Sequence, residues 1–297
     1  MQTTTIVPKR GRLKDLAEDL RISWYRLKRS KLSTAGVALI FATVLVTAFA
    51  AYLTPYPADA GAVAHFPDRL QPPSSQHWLG TDGAGRDVLT RVVFGGRVAL
   101  EAGLIIVAVA IGIGVPLGLI AGYLGGPVDT IIMRVTDVFL SIPGLALALI
   151  VAASVTPSLE TSSLAISFVW WPWYVRLVRG EVLSLREEQF VEAARAVGAS
   201  KMRVAFREIL PNLIPVIAVK GSLDMGYAIL WGVALNFLGL GVQEPIPDWG
   251  HMLAEGRVLL PQAWWVSTFP GIAIFLAVLG FNLLGDGLRD IFDVRII

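Results

Sequence analysis

The sequence predicts an all-α membrane protein with six transmembrane helices, and three observations carry that prediction. Of 297 residues, 55% are hydrophobic and 16% charged, with a mean hydropathy of +0.64; that is too apolar for a soluble domain of this length. Apolar runs long enough for a bilayer core of about 30 Å alternate with polar stretches. Basic residues gather at the N-terminus and again at 176–207. Four crossings separate these two clusters, so both fall on the cytoplasmic side, where Lys and Arg accumulate.

The remaining composition narrows the class. Cysteine is absent, which excludes disulfides, thiolate metal sites and a cysteine nucleophile. The Lys and Arg residues form no patch interleaved with aromatic readers, so nucleic acid is not a partner. The N-terminus is polar and basic before its first apolar run, unlike a cleavable signal peptide.

In chain order, residues 1–31 form a cytoplasmic segment with nine basic residues (Lys9, Arg10, Arg12, Lys14, Arg21, Arg26, Lys28, Arg29, Lys31) against Asp15, Glu18 and Asp19. Leu13, Leu16, Leu20, Trp24 and Leu27 recur at helical spacing, which favours an amphipathic helix on the inner membrane face over a disordered tail. The first span is 32–53, ended by Pro55 and Pro57. An external loop at 54–97 follows, with Gly80, Gly83 and Gly85. No lysine follows a glycine anywhere in the chain, so this is not a Walker A loop. It is expected to be an ordered turn tied by Asp82, Arg86 and Asp87, leading into an amphipathic outer helix.

The second span, 98–123, carries Gly103, Gly112, Gly114, Gly118 and Gly122, which permit close helix packing in lipid; Pro116 is expected to kink it. After the Gly125-Gly126-Pro127 turn, a third span runs over 128–153, with an Arg134–Asp137 ion pair expected near its start. The fourth, 164–178, holds Trp170, Trp171 and Trp173 around Pro172, either as interfacial anchors, the default reading, or as pore lining.

Residues 187–211 are the long polar insert of the second half. Phe190 to Val197 suits a helix, Gly198 can end it in the left-handed conformation, and Ser200 can cap a second helix. An outer face of Ala193, Ala194, Gly198 and Ala199, with Glu192 and Arg195 for polar contacts, suits docking of a soluble partner; an ordinary solvated loop is the alternative. The fifth span, 213–240, contains Lys220 and Asp224, four apart and costly in lipid. They either bridge to a neighbouring helix or stand in a substrate path. An external loop at 241–265, a sixth span at 266–284 and a cytoplasmic end at 290–297 complete the chain.

Catalysis by this chain is not expected. Its three histidines, His65, His77 and His251, lie in expected external loops without metal-site spacing, and neither HExxH nor GxSxG occurs. The rival to a docked transport component is an ATP-independent secondary transporter or channel.

Several motifs carry a family resemblance. Glu192-Ala193-Ala194 followed by Gly198 and by Ile209-Leu210-Pro211-Asn212 resembles the EAA loop of ABC-importer permeases, with Glu208 departing from the usual hydrophobic position. HWLGTDGAGRD at 77–87, FLGLGVQEPIPDWG at 237–250 and GDGLRD at 285–290 are similar to the C-type permease of dipeptide/oligopeptide/nickel importers. The resemblance implies a type I importer permease of MetI-like fold, with a permease core at 98–289. It further implies a coupling helix that docks the ATPase through Glu192, Ala193, Ala194, Arg195, Gly198, Ala199 and Ser200. Its implied partners are a second permease subunit, two ATP-binding subunits and an extracytoplasmic binding protein, in a bacterial or archaeal cytoplasmic membrane. No cofactor is implied for this chain, ATP and Mg being used by the partner ATPases. The implied substrates are dipeptides or oligopeptides, while relatives carry nickel chelates, glutathione, opines or sugars.

Overall fold

A computed structural model describes residues 31–292. The expected N-terminal amphipathic helix, and the last residues of the chain, lie outside that range. Among the described residues the regular structure is helical, and the only β contact is an isolated bridge between Thr81 and Asp87.

Helix α1, Lys31–Ala48, is followed by a single turn at Ala50–Leu53. The chain then wanders through short 3-10 turns before α2, Val88–Leu124, a helix of 37 residues and hence about 55 Å long. The expected outer helix and second span are therefore one continuous helix with Pro116 inside it. Its start is fixed by Asp87, whose carboxylate accepts from the Thr90 N–H at 2.8 Å, the usual N-cap arrangement. Gly95 and Gly96 do not interrupt it because neighbours pack where their side chains would be. A Cβ at Gly96 would lie 2.3 Å from Thr47 Cγ2.

The expected third span is broken. Helices α3, Gly126–Ser141, and α4, Gly144–Ala153, meet at an angle of 85°. Pro143 explains the break: it brings no N–H and pushes the preceding residue out of the helical region. Ile142 is indeed extended, with ψ 136°. Helix α5, Leu159–Leu185, is longer than the expected fourth span and begins at a capping box of Ser158 and Thr161.

Helix α6, Gln189–Ala196, lies in the polar insert. One turn at Lys201–Arg203 and a π-helical stretch at Val204–Ile209 lead into α7, Leu210–Phe237. Pro211 has no N–H for the Arg207 carbonyl, which places the helix defect beside the proline. The expected loop at 241–265 contains α8, Trp249–Val258, and the chain closes with α9, Trp265–Phe292.

By length and apolarity, α2, the run Lys201–Phe237 and α9 can each cross a membrane, and the bent α3–α4 pair can supply another crossing. Helix α1 is shorter, and α5 is long enough but carries Arg176, Arg179 and Glu181.

The centre of the bundle is the α2–α5 contact. Gly114, Gly118 and Gly122 recur every fourth residue on α2. Cβ atoms there would fall 2.5 Å from Tyr174 Cβ, 2.7 Å from the Val175 carbonyl and 2.8 Å from Val182 Cβ. Small residues thus bring two backbones together where lipid provides no hydrophobic drive. Helix α9 joins α1 the same way, through Gly280 and Gly287 against Ile40 and Ser33.

The ion pair expected within α3 is replaced by pairs to α5. Arg176 donates to Asp137 at 2.7 Å, and Arg179 grips Asp129 with two bonds of 2.5 and 2.7 Å. A guanidinium arriving from a facing helix can make the parallel two-bond geometry that a residue three along the same helix cannot.

Candidate functional site

The polar insert occupies one end of the bundle. Val191 is fully buried and joins Val204, Ala205 and Ile209 in the main core, so α6 is stapled down by its apolar side. Helix α6 ends as the sequence predicts. Gly198 adopts φ +81°, its N–H bonds the Arg195 carbonyl at 2.9 Å, and the Ala199 N–H bonds the Ala194 carbonyl at 3.1 Å. These two bonds are a Schellman closure, which requires the left-handed residue that glycine supplies without strain. Ser200 then caps the following turn, its hydroxyl accepting from the Arg203 N–H at 3.4 Å.

The expected docking residues divide into two groups. Glu192, Ala193, Gly198 and Ser200 are exposed, whereas Ala194 and Ala199 pack against the core. Arg195 reaches back to α2, donating to the Tyr123 hydroxyl at 3.3 Å with its guanidinium 5.3 Å from the ring centroid. The outward face is instead completed by apolar side chains not singled out from the sequence: Val197 is 84% exposed and Met202 52%, with Phe190 and Phe206 beside them. Tyr123, Arg195, Ala199 and Lys201 border an adjoining cleft of about 300 Å³.

Deep in the bundle, Lys220 and Asp224 pair as their spacing predicts. The Lys220 ammonium donates to one carboxylate oxygen of Asp224, and Trp170 Nε1 of α5 donates to the other at 3.1 Å. The Lys220 Nζ also stands 5.7 Å from the Tyr174 ring centroid. Asp224 is 1% exposed. Its charge is tolerated because both oxygens are occupied. Trp170 is thus a hydrogen-bond donor to the pair rather than an interfacial anchor, whereas its neighbour Trp173 is exposed.

At the opposite end, the two long connections are knitted together. Asp82 accepts from the Ala84 and Arg86 N–H groups at 2.8 and 2.9 Å and from Arg86 Nε at 2.7 Å, while Arg91 Nε lies 3.3 Å away. Arg86 continues to Glu244 at 3.0 Å. Asp248 caps α8 and receives Asn236 Nδ2 at 2.8 Å; Glu255 receives the Gly83 N–H at 3.2 Å. Gly85, at φ +80°, sits where a Cβ would be 1.9 Å from the His65 carbonyl oxygen. Burial, reinforced by the Asp82 charge, pushes the Glu255 carboxyl above the usual range, and burial also raises Asp248. The histidines stand apart, each beside its own carboxylate: His65 with Asp59, His77 with Asp87 and His251 with Glu244.

Comparison with known proteins gives consistent matches. Residues 114–297 match the model of the binding-protein-dependent transport system inner membrane component family. Residues 20–73 match the N-terminal transmembrane domain of oligopeptide transport permease C. The dipeptide transport system permease protein of Alkalihalophilus pseudofirmus is 44% identical over 275 residues, covering 93% of this chain and 90% of the relative. A probable D,D-dipeptide transport system permease protein of Escherichia coli is 44% identical over 271 residues, 91% and 90% of the two chains. A glutathione transport system permease protein of Pectobacterium atrosepticum is 42% identical over 274 residues, 92% and 90%. Among solved structures, an inward-facing methionine ABC transporter aligns with a TM-score of 0.53 at 17% identity, over 68% of this chain and 96% of that one.

Proposed function

From the premise that this chain belongs to the binding-protein-dependent transport inner membrane component family, we propose that it imports short peptides as one of two permease subunits. ATP hydrolysis by two partner subunits drives it, and an extracytoplasmic binding protein feeds it. The peptide assignment draws on the relatives, two of which are dipeptide permeases and one a glutathione permease. The end of the bundle bearing α6 faces the cytoplasm, consistent with the basic residues between Arg176 and Arg207.

The observation that carries the coupling role is the shape of α6. It is a short helix anchored underneath by Val191 and Ala194, closed by Gly198, and exposing Glu192, Ala193 and Val197. A rigid knob with a small apolar tip and a polar rim fits a groove in a soluble domain. Because α6 runs through the π-helical turn into α7, a displacement of the knob is passed to the helix that bears Lys220 and Asp224. The chain contributes a two-state bundle, while bond breaking belongs to the ATPases.

Glu192→Lys tests this in the reconstituted complex. Uptake is expected to fall at least tenfold, with ATPase association weakened or hydrolysis no longer tied to transport, and with unchanged thermal unfolding. Normal uptake and coupling would remove α6 from the coupling path.

A further inference from the structure

The break between α3 and α4 opens a cavity of about 370 Å³ lined by Phe139, Pro143, Trp170, Trp173 and Trp231 with the backbone of the break itself. This volume is within the range of small-ligand sites. Three indoles and a phenyl ring from α3, α5 and α7 converge on it. Trp170 and Trp231 meet edge to face, with centroids 4.8 Å apart and planes at 77°. Each indole therefore fixes the orientation of the other.

Trp170 is also held in place. Its Nε1–H donates to buried Asp224, which locks the ring plane at the cavity and leaves its negative face for a cation. Both carboxylate oxygens are already occupied, by Lys220 and Trp170, so Asp224 acts through the indole rather than by direct contact. The last turn of α3 adds carbonyl acceptors. The Ser141 hydroxyl covers only the Val138 carbonyl, at 2.8 Å, and helix-terminal carbonyls otherwise lack intrahelical partners. Non-helical backbone at membrane depth persists only where it lines a cavity or is buried in protein. Aromatic faces and free carbonyls have one ligand chemistry in common, an organic ammonium.

We propose that this cavity is a substrate subsite which receives the ammonium group of the transported peptide together with the side chain beside it. Trp231 and Trp173 form its walls, and Trp170 forms its base. The inference rests on the peptide-import reading above, and it locates substrate contact within this chain rather than in the binding protein alone.

The test uses the whole complex in proteoliposomes, with the binding protein loaded with a short peptide bearing a photoreactive diazirine next to its free amine. Irradiation during turnover is expected to label residues 139–144 or the adjoining Trp173 and Trp231. Trp231→Leu should lower both labelling and uptake about tenfold while hydrolysis continues, and Trp231→Phe, which keeps an aromatic face, should restore most of both. Labelling elsewhere, or full uptake in Trp231→Leu, overturns the subsite. A photoreactive phospholipid that labels the cavity while the peptide does not makes it a lipid site and also overturns it. Stimulation of ATP hydrolysis by loaded binding protein is read in the same vesicles. If stimulation persists, failure of labelling condemns the subsite alone; if stimulation is absent, the importer reading falls with it.

Discussion

The two ends of the bundle satisfy their polar groups in opposite ways. At the end formed by residues 54–87, α8 and their flanks, charged side chains turn inward: Asp82 and Arg91 are each at most 1% exposed, and Arg86 is 5% exposed. At the α6 end, Glu192 and Lys201 stay in water, and Val197 and Met202 are the most exposed apolar side chains. One end is closed by its own network, and the other carries the knob proposed above to dock a partner. Exposed apolar surface at a polar, rigid protrusion marks an interaction site, whereas an internal ion network fixes a shape. Mutations should therefore affect folding at the first end and coupling at the second.

The largest expected effect is at the closed end. Asp82→Ala strips both Arg86 and Arg91 of their shared carboxylate and leaves the turn N–H groups of Ala84 and Arg86 without an acceptor. Removing one partner of a buried pair costs about 3–5 kcal/mol. Thermal unfolding in detergent should show a large loss of stability, or the protein should fail to accumulate. A variant of normal stability would break the contrast between the ends.

Next in size is the pair between the two ends. Lys220→Met alone or Asp224→Asn alone leaves a charge without its partner, while the double variant leaves none. Each single variant should be expressed and transport less well than the double, and equal behaviour of all three would rule out mutual charge compensation. At the open end, Gly198→Val has space, since nothing lies within 4 Å of a Cβ there, but it forces a branched residue into φ +81°. The strain is about 1–2 kcal/mol, and it tilts α6 instead of unfolding the bundle. Uptake should fall severalfold with a small change in unfolding temperature; the reverse pattern would make Gly198 a folding residue.

How much of this was legible in the sequence differs between the ends. The Gly198 closure and the Ser200 cap depend on residues within a few positions of each other, so local rules reach them. The Lys220–Asp224 pair follows from spacing of four on one helix. By contrast, the Arg86–Glu244 and Gly83–Glu255 bonds join residues separated by 158 and 172 positions, and no local pattern announces them. The single helix Val88–Leu124 was not legible across Gly95 and Gly96, because the residues packed on them, Trp249 and Thr47, lie far away in the sequence. The α3–α4 break was signalled by Pro143, but a proline within an apolar run reads equally as a kink. Trp170 read as an anchor because its partner, Asp224, lies 54 residues away.

The smallest effect is read by pH at the closed end. Burial and the Asp82 charge hold the Glu255 carboxyl above its usual range in the folded chain. The native state therefore keeps this proton to a higher pH than the unfolded chain does. Its stability is undiminished below about pH 4.3, the usual carboxyl value, and declines as pH rises towards the raised native value. Glu255→Gln removes the titration and keeps an oxygen for the Gly83 N–H. Unfolding followed by circular dichroism should show the variant gaining on the parent as pH rises from about 4.3 towards the raised native value. A gain with Glu255→Gln that does not change with pH would mean that burial of the carboxylate, as the structure places it, does not set the stability of the closed end.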